Sequence, residues 1–240
     1  MGSAITLLFG LFKFGKVGGT ILTMLIALAV YTSVFGWQYA LGFVLLILVH
    51  ETGHFLAAKQ RSLAVSAPTF IPFVGAWIEL KDQPMDVETE AYVASAGPLF
   101  GTVAATLVYL WGREVQSGLL LAIAYAGFFL NFFNLVPLSP LDGGRMTAIL
   151  SPRIWFLGVP VMIALMFYRP SPLLILICIL AIPALKKAWN FDGSAEENRA
   201  YYSASMAMKT EYGIFYIGLA AYLAVMTEGT RAMVDATTRF

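Results

Sequence analysis

Residues 39–58 read YALGFVLLILVHETGHFLAA, from Tyr39 to Ala58. An apolar run of this length is enough to cross a bilayer as a helix. Its polar interruption is His50-Glu51-Thr52-Gly53-His54, which holds both histidines of the chain. A helix turns once per 3.6 residues, so positions four apart share a face. His50 and His54 therefore present two imidazoles to one metal ion, with Glu51 beside them. That pattern gives zinc two nitrogen ligands and a carboxylate able to take a proton from water. Ionisable residues inside a span are costly and are functional candidates by default.

Composition supports a membrane reading of the whole chain. Its 240 residues are 59% hydrophobic and 12% charged, with mean hydropathy +0.77; a soluble domain is nearer half apolar and a quarter charged. A net charge of +1 implies nothing about nucleic acid, and with no dense basic cluster in the sequence no nucleic-acid partner is expected. The one cysteine, Cys178, rules out an internal disulfide and reads as a core or lipid-facing residue. Lys13 and Lys16 precede an apolar stretch that could pass for a signal peptide. Tyr31, Phe35 and Trp37 follow it instead of a small-residue exit, so it reads as a retained span.

The expected fold class is an α-helical polytopic membrane protein with six or seven transmembrane segments and a small membrane-associated β-hairpin insert. An interfacial N-terminal segment covers 1–18. A membrane-embedded domain covers 19–185, with the insert at 62–90. A C-terminal polar segment with a possible last transmembrane helix covers 186–240. The spans are expected at Gly19–Phe35, Tyr39–Ala58, Ala91–Trp111 and Gly118–Val136, followed by shorter stretches at Ile154–Tyr168 and Pro172–Leu185. A final apolar run, Tyr212–Met226, is left open as a span. If six stretches alternate, Lys13, Lys16, Lys59, Arg61, Arg145, Arg153, Lys186 and Lys187 fall on one side, and Arg113 and Arg169 on the other. The richer side is read as cytoplasmic, which places the N-terminus there. The histidines then lie on the order of 7–14 Å below the cytoplasmic boundary, and a polar cleft should open to them from that side.

Two histidines leave a catalytic zinc one protein ligand short, with water in the fourth place. With no third histidine, a carboxylate must supply it. Asp142 stands out, in Leu141-Asp142-Gly143-Gly144 just past the fourth span. Its glycines allow turns that other residues resist. Pro137 and Pro140 keep the preceding piece from continuing as regular helix. Irregular backbone at this depth must line a cavity or be covered by protein. Asn134, just before it, can donate and accept in the same cavity.

Here the chain resembles a known family. His50-Glu-Thr-Gly-His54, followed about eighty residues later by Asn134-Leu-Val-Pro137-Leu-Ser-Pro-Leu-Asp142-Gly, is similar to the paired motifs of the site-2 protease family of intramembrane zinc metalloproteases. The segment Phe70–Leu80 resembles the family's membrane-associated β-hairpin, and Ala96-Gly97-Pro98-Leu99 resembles the motif that opens its next helix. The resemblance covers roughly Leu41 to Arg153. It implies that His50, His54 and Asp142 hold one Zn2+, that Glu51 is the catalytic base and that Asn134 supports substrate or transition state. Gly101 departs from it, since many members carry asparagine there. The insert is too short for a PDZ domain and the C-terminal polar stretch too short for a CBS pair, so a minimal form is expected.

Plainer roles compete with these. Asp142-Gly143 is also a turn signal. Asn131 reads as a helix cap or interhelical hydrogen bond, not a site residue, and Gly97 with Gly101 as a helix-packing face. The functional expectation is a zinc endopeptidase that cuts a membrane protein within or near its transmembrane segment. The resemblance implies regulated intramembrane proteolysis or clearance of cleaved signal peptides. The substrate, single-pass or already cleaved, would be bound as an extended strand on an edge supplied by Phe70–Leu80, with Gly75 available for its turn. The other reading is a membrane zinc-binding or transport protein without hydrolysis. Substrate identity and oligomeric state stay open.

Overall fold

The structure, a computed structural model, describes residues 15–66, 68–73, 75–77 and 86–237. The interfacial segment expected at 1–18 lies outside these but for its last residues, and so do Ile78, Glu79 and Leu80 of the expected hairpin.

Helix α1, Gly15–Phe35, carries no charge after Lys16 and turns into α2, Trp37–Gln60, at Gly36. Gly36 has φ 84°, a left-handed conformation that glycine adopts without a Cβ clash. Two short strands follow, β1 (Thr69–Ile71) and β2 (Gly75–Trp77). They pair antiparallel, Thr69 opposite Trp77, Phe70 opposite Ala76 and Ile71 opposite Gly75. The pair is stitched to α1: the Phe70 N–H donates to Thr23 Oγ1 at 3.1 Å and the Phe73 N–H to Tyr31 Oη at 2.9 Å. Gly75, expected at the turn, opens β2 instead. Phe73 takes the positive φ of 63°, held by that hydrogen bond and by the Tyr31 ring 5.3 Å away.

Helix α3, Val87–Glu114, starts at Asp86, whose carboxylate accepts from the Thr89 N–H at 2.7 Å. Such a cap satisfies a donor the helix leaves unpaired. Helix α4, Gly118–Asn134, has 17 residues, about 25 Å at 1.5 Å per residue. Where an irregular segment was expected to run on, the chain makes a six-residue helix, α5, Asp142–Thr147. A 3-10 turn, Pro152–Leu157, leads into α6, Gly158–Tyr168. Helix α7 spans Pro172–Trp189, α8 Glu196–Tyr201 and α9 Met206–Thr237. The last is far longer than its apolar centre, because the helix continues through Glu228 and Arg231, which pair at 2.7 Å.

Helices α2 and α3 approach closely because small residues face each other, among them Gly53, Ala57, Ala58, Ala96 and Gly97. A Cβ at Gly53 would stand 2.4 Å from the Ala96 carbonyl oxygen. One apolar core joins Val136, Leu138, Leu141, Ile149, Trp155 and Met162. A second joins Phe128, Leu135, Met146, Leu219 and Leu223, so α9 packs on α4 and α5. Large apolar side chains remain exposed along the outer faces, including Leu107, Leu110, Ile179, Ile182, Ile217 and Val225, an extent of open apolar surface that a soluble monomer avoids. Among the described residues, five helical stretches are long and apolar enough to span: Gly18–Phe35, Trp37–Gln60, Val87–Glu114, Pro172–Trp189 and Met206–Ala236. The chain is a mostly helical, multi-pass membrane protein.

Candidate metal centre

One turn of α2 carries His50 and His54, and the N-terminus of α5 brings Asp142 against them. All three are buried. His50 Nε2 lies 3.2 Å from Asp142 Oδ2, His54 Nε2 lies 3.2 Å from the same oxygen, and the two Nε2 atoms are 3.1 Å apart. The other ring nitrogens are committed elsewhere. His54 Nδ1 donates to the Val93 carbonyl at 2.8 Å, and His50 Nδ1 faces Asn131 Oδ1 at 2.8 Å. A carbonyl only accepts, so His54 carries its proton on Nδ1 and turns a lone pair on Nε2 inward. With His50 in the same tautomer, three electron-rich atoms crowd one point.

That crowding fits a cation. Tetrahedral ligands at 2.0–2.2 Å from zinc lie roughly 3.3–3.5 Å apart, and the observed triangle needs little expansion to reach this. Two imidazoles and a carboxylate are a familiar catalytic zinc set, and the Nδ1–H bonds are the outer contacts such ligands make.

Local structure explains the placement. Pro98 lies inside α3, and the turn before it carries Val93, whose carbonyl reaches His54. Helix α5 folds back on the chain that precedes it. A Cβ at Gly143 would stand 2.1 Å from the Leu135 oxygen, and one at Gly144 2.1 Å from the Ser139 nitrogen. These glycines serve that close backbone packing. Trp155 Nε1 donates to the Gly144 carbonyl at 2.7 Å and Thr147 Oγ1 to the Gly143 carbonyl at 2.7 Å, so the helix that starts with Asp142 is fixed at both sides.

Glu51 is buried and hydrogen-bonds to no described residue. Asp142 Oδ1 faces Arg145 Nη1 at 3.9 Å, and Arg145 Nε lies 3.5 Å from Glu90. The Tyr201 hydroxyl donates to the other Glu90 oxygen, which ties α8 to this end of the site. Burial and the Glu90 charge push the Tyr201 phenol well above its ordinary range, so it remains a donor. Asn134 is half-buried at the end of α4, and its side chain bonds to no described residue. A separate pocket of about 310 Å³, lined by residues including Leu150, Phe191, Arg199, Tyr202 and Lys209, touches none of the cluster.

Sequence reasoning passed over the Val93 carbonyl, and it read Asn131 as a helix cap or interhelical hydrogen bond, which it makes to His50, without placing it at the site. The first has no side-chain signature. The second had one clue: a Cβ at Gly101 would stand 2.3 Å from Asn131 Oδ1, so the missing side chain at position 101 is the space Asn131 fills.

Comparison with known proteins adds the following. The pattern of Peptidase family M50 matches residues 38–117, which includes both histidines and Glu51 but not Asp142. Zinc metalloprotease MJ0392 of Methanocaldococcus jannaschii is 28% identical over 145 residues, 57% of this chain and 41% of that protein. A rice protein, Probable zinc metalloprotease EGY1, chloroplastic, is 28% identical over 153 residues, 44% of this chain and 26% of its own length. The chain thus spans less than half the length of these curated relatives. A solved site-2 protease from Methanocaldococcus jannaschii superposes with TM-score 0.43 at 20% identity, covering 78% of this chain and 91% of that one, a likeness too distant to assign residues.

Proposed function

From the match of residues 38–117 to Peptidase family M50, we propose that this chain belongs to that family and is an intramembrane zinc endopeptidase of the site-2 protease kind. It hydrolyses peptide bonds within or near transmembrane segments of membrane proteins, in regulated intramembrane proteolysis. The observation that carries this reading is the convergence of His50 Nε2, His54 Nε2 and Asp142 Oδ2 at 3.1–3.2 Å beside an uncommitted, buried Glu51. Those three residues hold the metal.

Bound zinc would polarise the scissile carbonyl and make a water acidic enough to be activated near neutral pH. Glu51 accepts the proton of that water as the oxygen–carbon bond forms. It then delivers the proton to the amine nitrogen as the carbon–nitrogen bond breaks, so one residue closes the proton balance. Asn134, with its amide uncommitted, holds the substrate backbone.

A helical substrate hides its peptide bonds, because each carbonyl is already paired. The β1–β2 pair supplies an edge on which it can be held extended. Since the Phe70 N–H is spent on Thr23, Phe70 and Ala76 form a non-hydrogen-bonded pair, and the backbone groups of Ala76 turn away from β1. The substrate strand is assigned to that edge. The hairpin lies at the membrane, catalysis belongs to residues 19–185, and residues 186–240 support it. The N-terminus and the opening to the site face the cytoplasm.

The test is Glu51→Gln. The variant should keep about one zinc per chain and lose nearly all turnover, with uncut membrane proteins accumulating in cells that carry it. His54→Ala and Asp142→Ala should release the metal. Normal cleavage by Glu51→Gln, or full zinc occupancy in Asp142→Ala, would sink the assignment.

A further inference from the structure

Asn131 is fully buried on α4. Its Nδ2 donates to the Gly127 carbonyl at 2.7 Å. Because a carbonyl only accepts, this contact fixes which way the amide faces. Oδ1 must then be the atom turned to His50, 2.8 Å from Nδ1. An amide oxygen also only accepts, so His50 must carry its proton on Nδ1 and its lone pair on Nε2, the atom that faces His54 and Asp142. The amide has no room to move. Gly101 of α3 sits against it so closely that a Cβ there would stand 2.3 Å from Oδ1 and 2.6 Å from Nδ2. His54 takes the same instruction from a backbone carbonyl, which no substitution can delete. For His50 it comes from a side chain.

We infer that Asn131 is a positioning residue for the metal: through the Gly127 carbonyl and the space left by Gly101, it dictates which nitrogen of His50 is offered to the ion. This rests on the zinc reading above. It goes beyond a buried hydrogen bond that merely steadies α4 against α2, and the two roles separate experimentally. Asn131 has two jobs, donation to Gly127 and acceptance from His50. Asn131→Leu removes both. Asn131→Asp removes the donation and keeps an acceptor at the same place.

Full-length protein in detergent is stripped of metal, and its zinc affinity is measured by competition with a chromophoric chelator. Thermal stability is read in parallel. Stability should fall in both variants. Zinc binding should weaken about 10–100-fold in Asn131→Leu, the usual cost of losing such an outer contact, and stay near the parent in Asn131→Asp. If Asn131→Leu does not fold, Asn131→Ala makes the same deletion without new bulk. Parental zinc affinity in the apolar variant, or equal losses in the apolar and Asp variants, overturns the proposal. His50→Ala serves as the separate control. If it loses zinc while Asn131→Leu does not, only the positioning role fails; if it binds zinc like the parent, the metal reading itself fails.

Discussion

Gly97 has no side chain, and a Cβ there would stand 2.2 Å from Nε2 of His54. The imidazole cannot swing aside, because its Nδ1 is held by Val93. Nor can α3 back away freely, with Gly53 seated against the Ala96 carbonyl. Gly97→Ala should therefore displace His54 and lower turnover about 100-fold, the scale of a 1 Å error at a reacting centre. Steady-state cleavage of a reconstituted single-pass membrane protein checks this; a rate equal to the parent's would mean that the helices yield. At this scale the sequence was legible where chemistry is local. His50, Glu51 and His54 share one turn, so spacing alone joins them. Asp142 could be reached by elimination, since no third histidine exists. Asn131 could not, because its partner lies 81 residues away and the pairing depends on how α2 and α4 face each other. Gly97 was read as a packing position, which is right about space and silent about which group fills it.

At the level of elements, the apolar runs marked α1, α2, α3 and α7 closely, because hydropathy and span length are coupled by the bilayer. Helix α5 was hidden. Two of its six residues are glycine, which disfavours helix, and only the backbone of Leu135 and Ser139 packed against them accounts for that choice. The turn of the β pair was misplaced for a similar reason. Phe73, not Gly75, adopts the left-handed conformation, at the instigation of Tyr31 on another helix. The open edge of that pair makes a prediction of its own. Ala76→Pro deletes the outward N–H without touching the contacts of β1 with α1. Cleavage of a membrane-embedded substrate should drop strongly while bound zinc is unchanged. An unaltered cleavage rate would reduce the strands to a connector and leave substrate unwinding to the segment from Asn134 to Pro140.

For the whole molecule, the distribution of lysine and arginine makes a directional claim. The chain has a single cysteine, Cys178, so a Cys178→Ser background allows one reporter thiol at a time. Gln116→Cys, between α3 and α4, should react with a membrane-impermeant maleimide applied to intact cells. Ser194→Cys, between α7 and α8, should react only after the cells are opened. The reverse pattern would invert the orientation and move the site to the far side of the membrane. Legibility at this scale was limited where hydropathy and helix length part. Helix α4 was expected as a span to Val136 and ends at Asn134, while α9 exceeds its apolar centre at both ends.

The shortness of α4 has a consequence for the lipid around it. A helix of about 25 Å faces a hydrocarbon layer of about 30 Å, and such a deficit is relieved by drawing the leaflets together at a cost of fractions of a kcal/mol per Å. If α4 crosses the membrane, the bilayer should be thinnest beside the helix that ends at Asn134. Water would then have less acyl chain to cross there, and turnover in reconstituted membranes should depend on acyl-chain length, a control that no residue of the protein supplies.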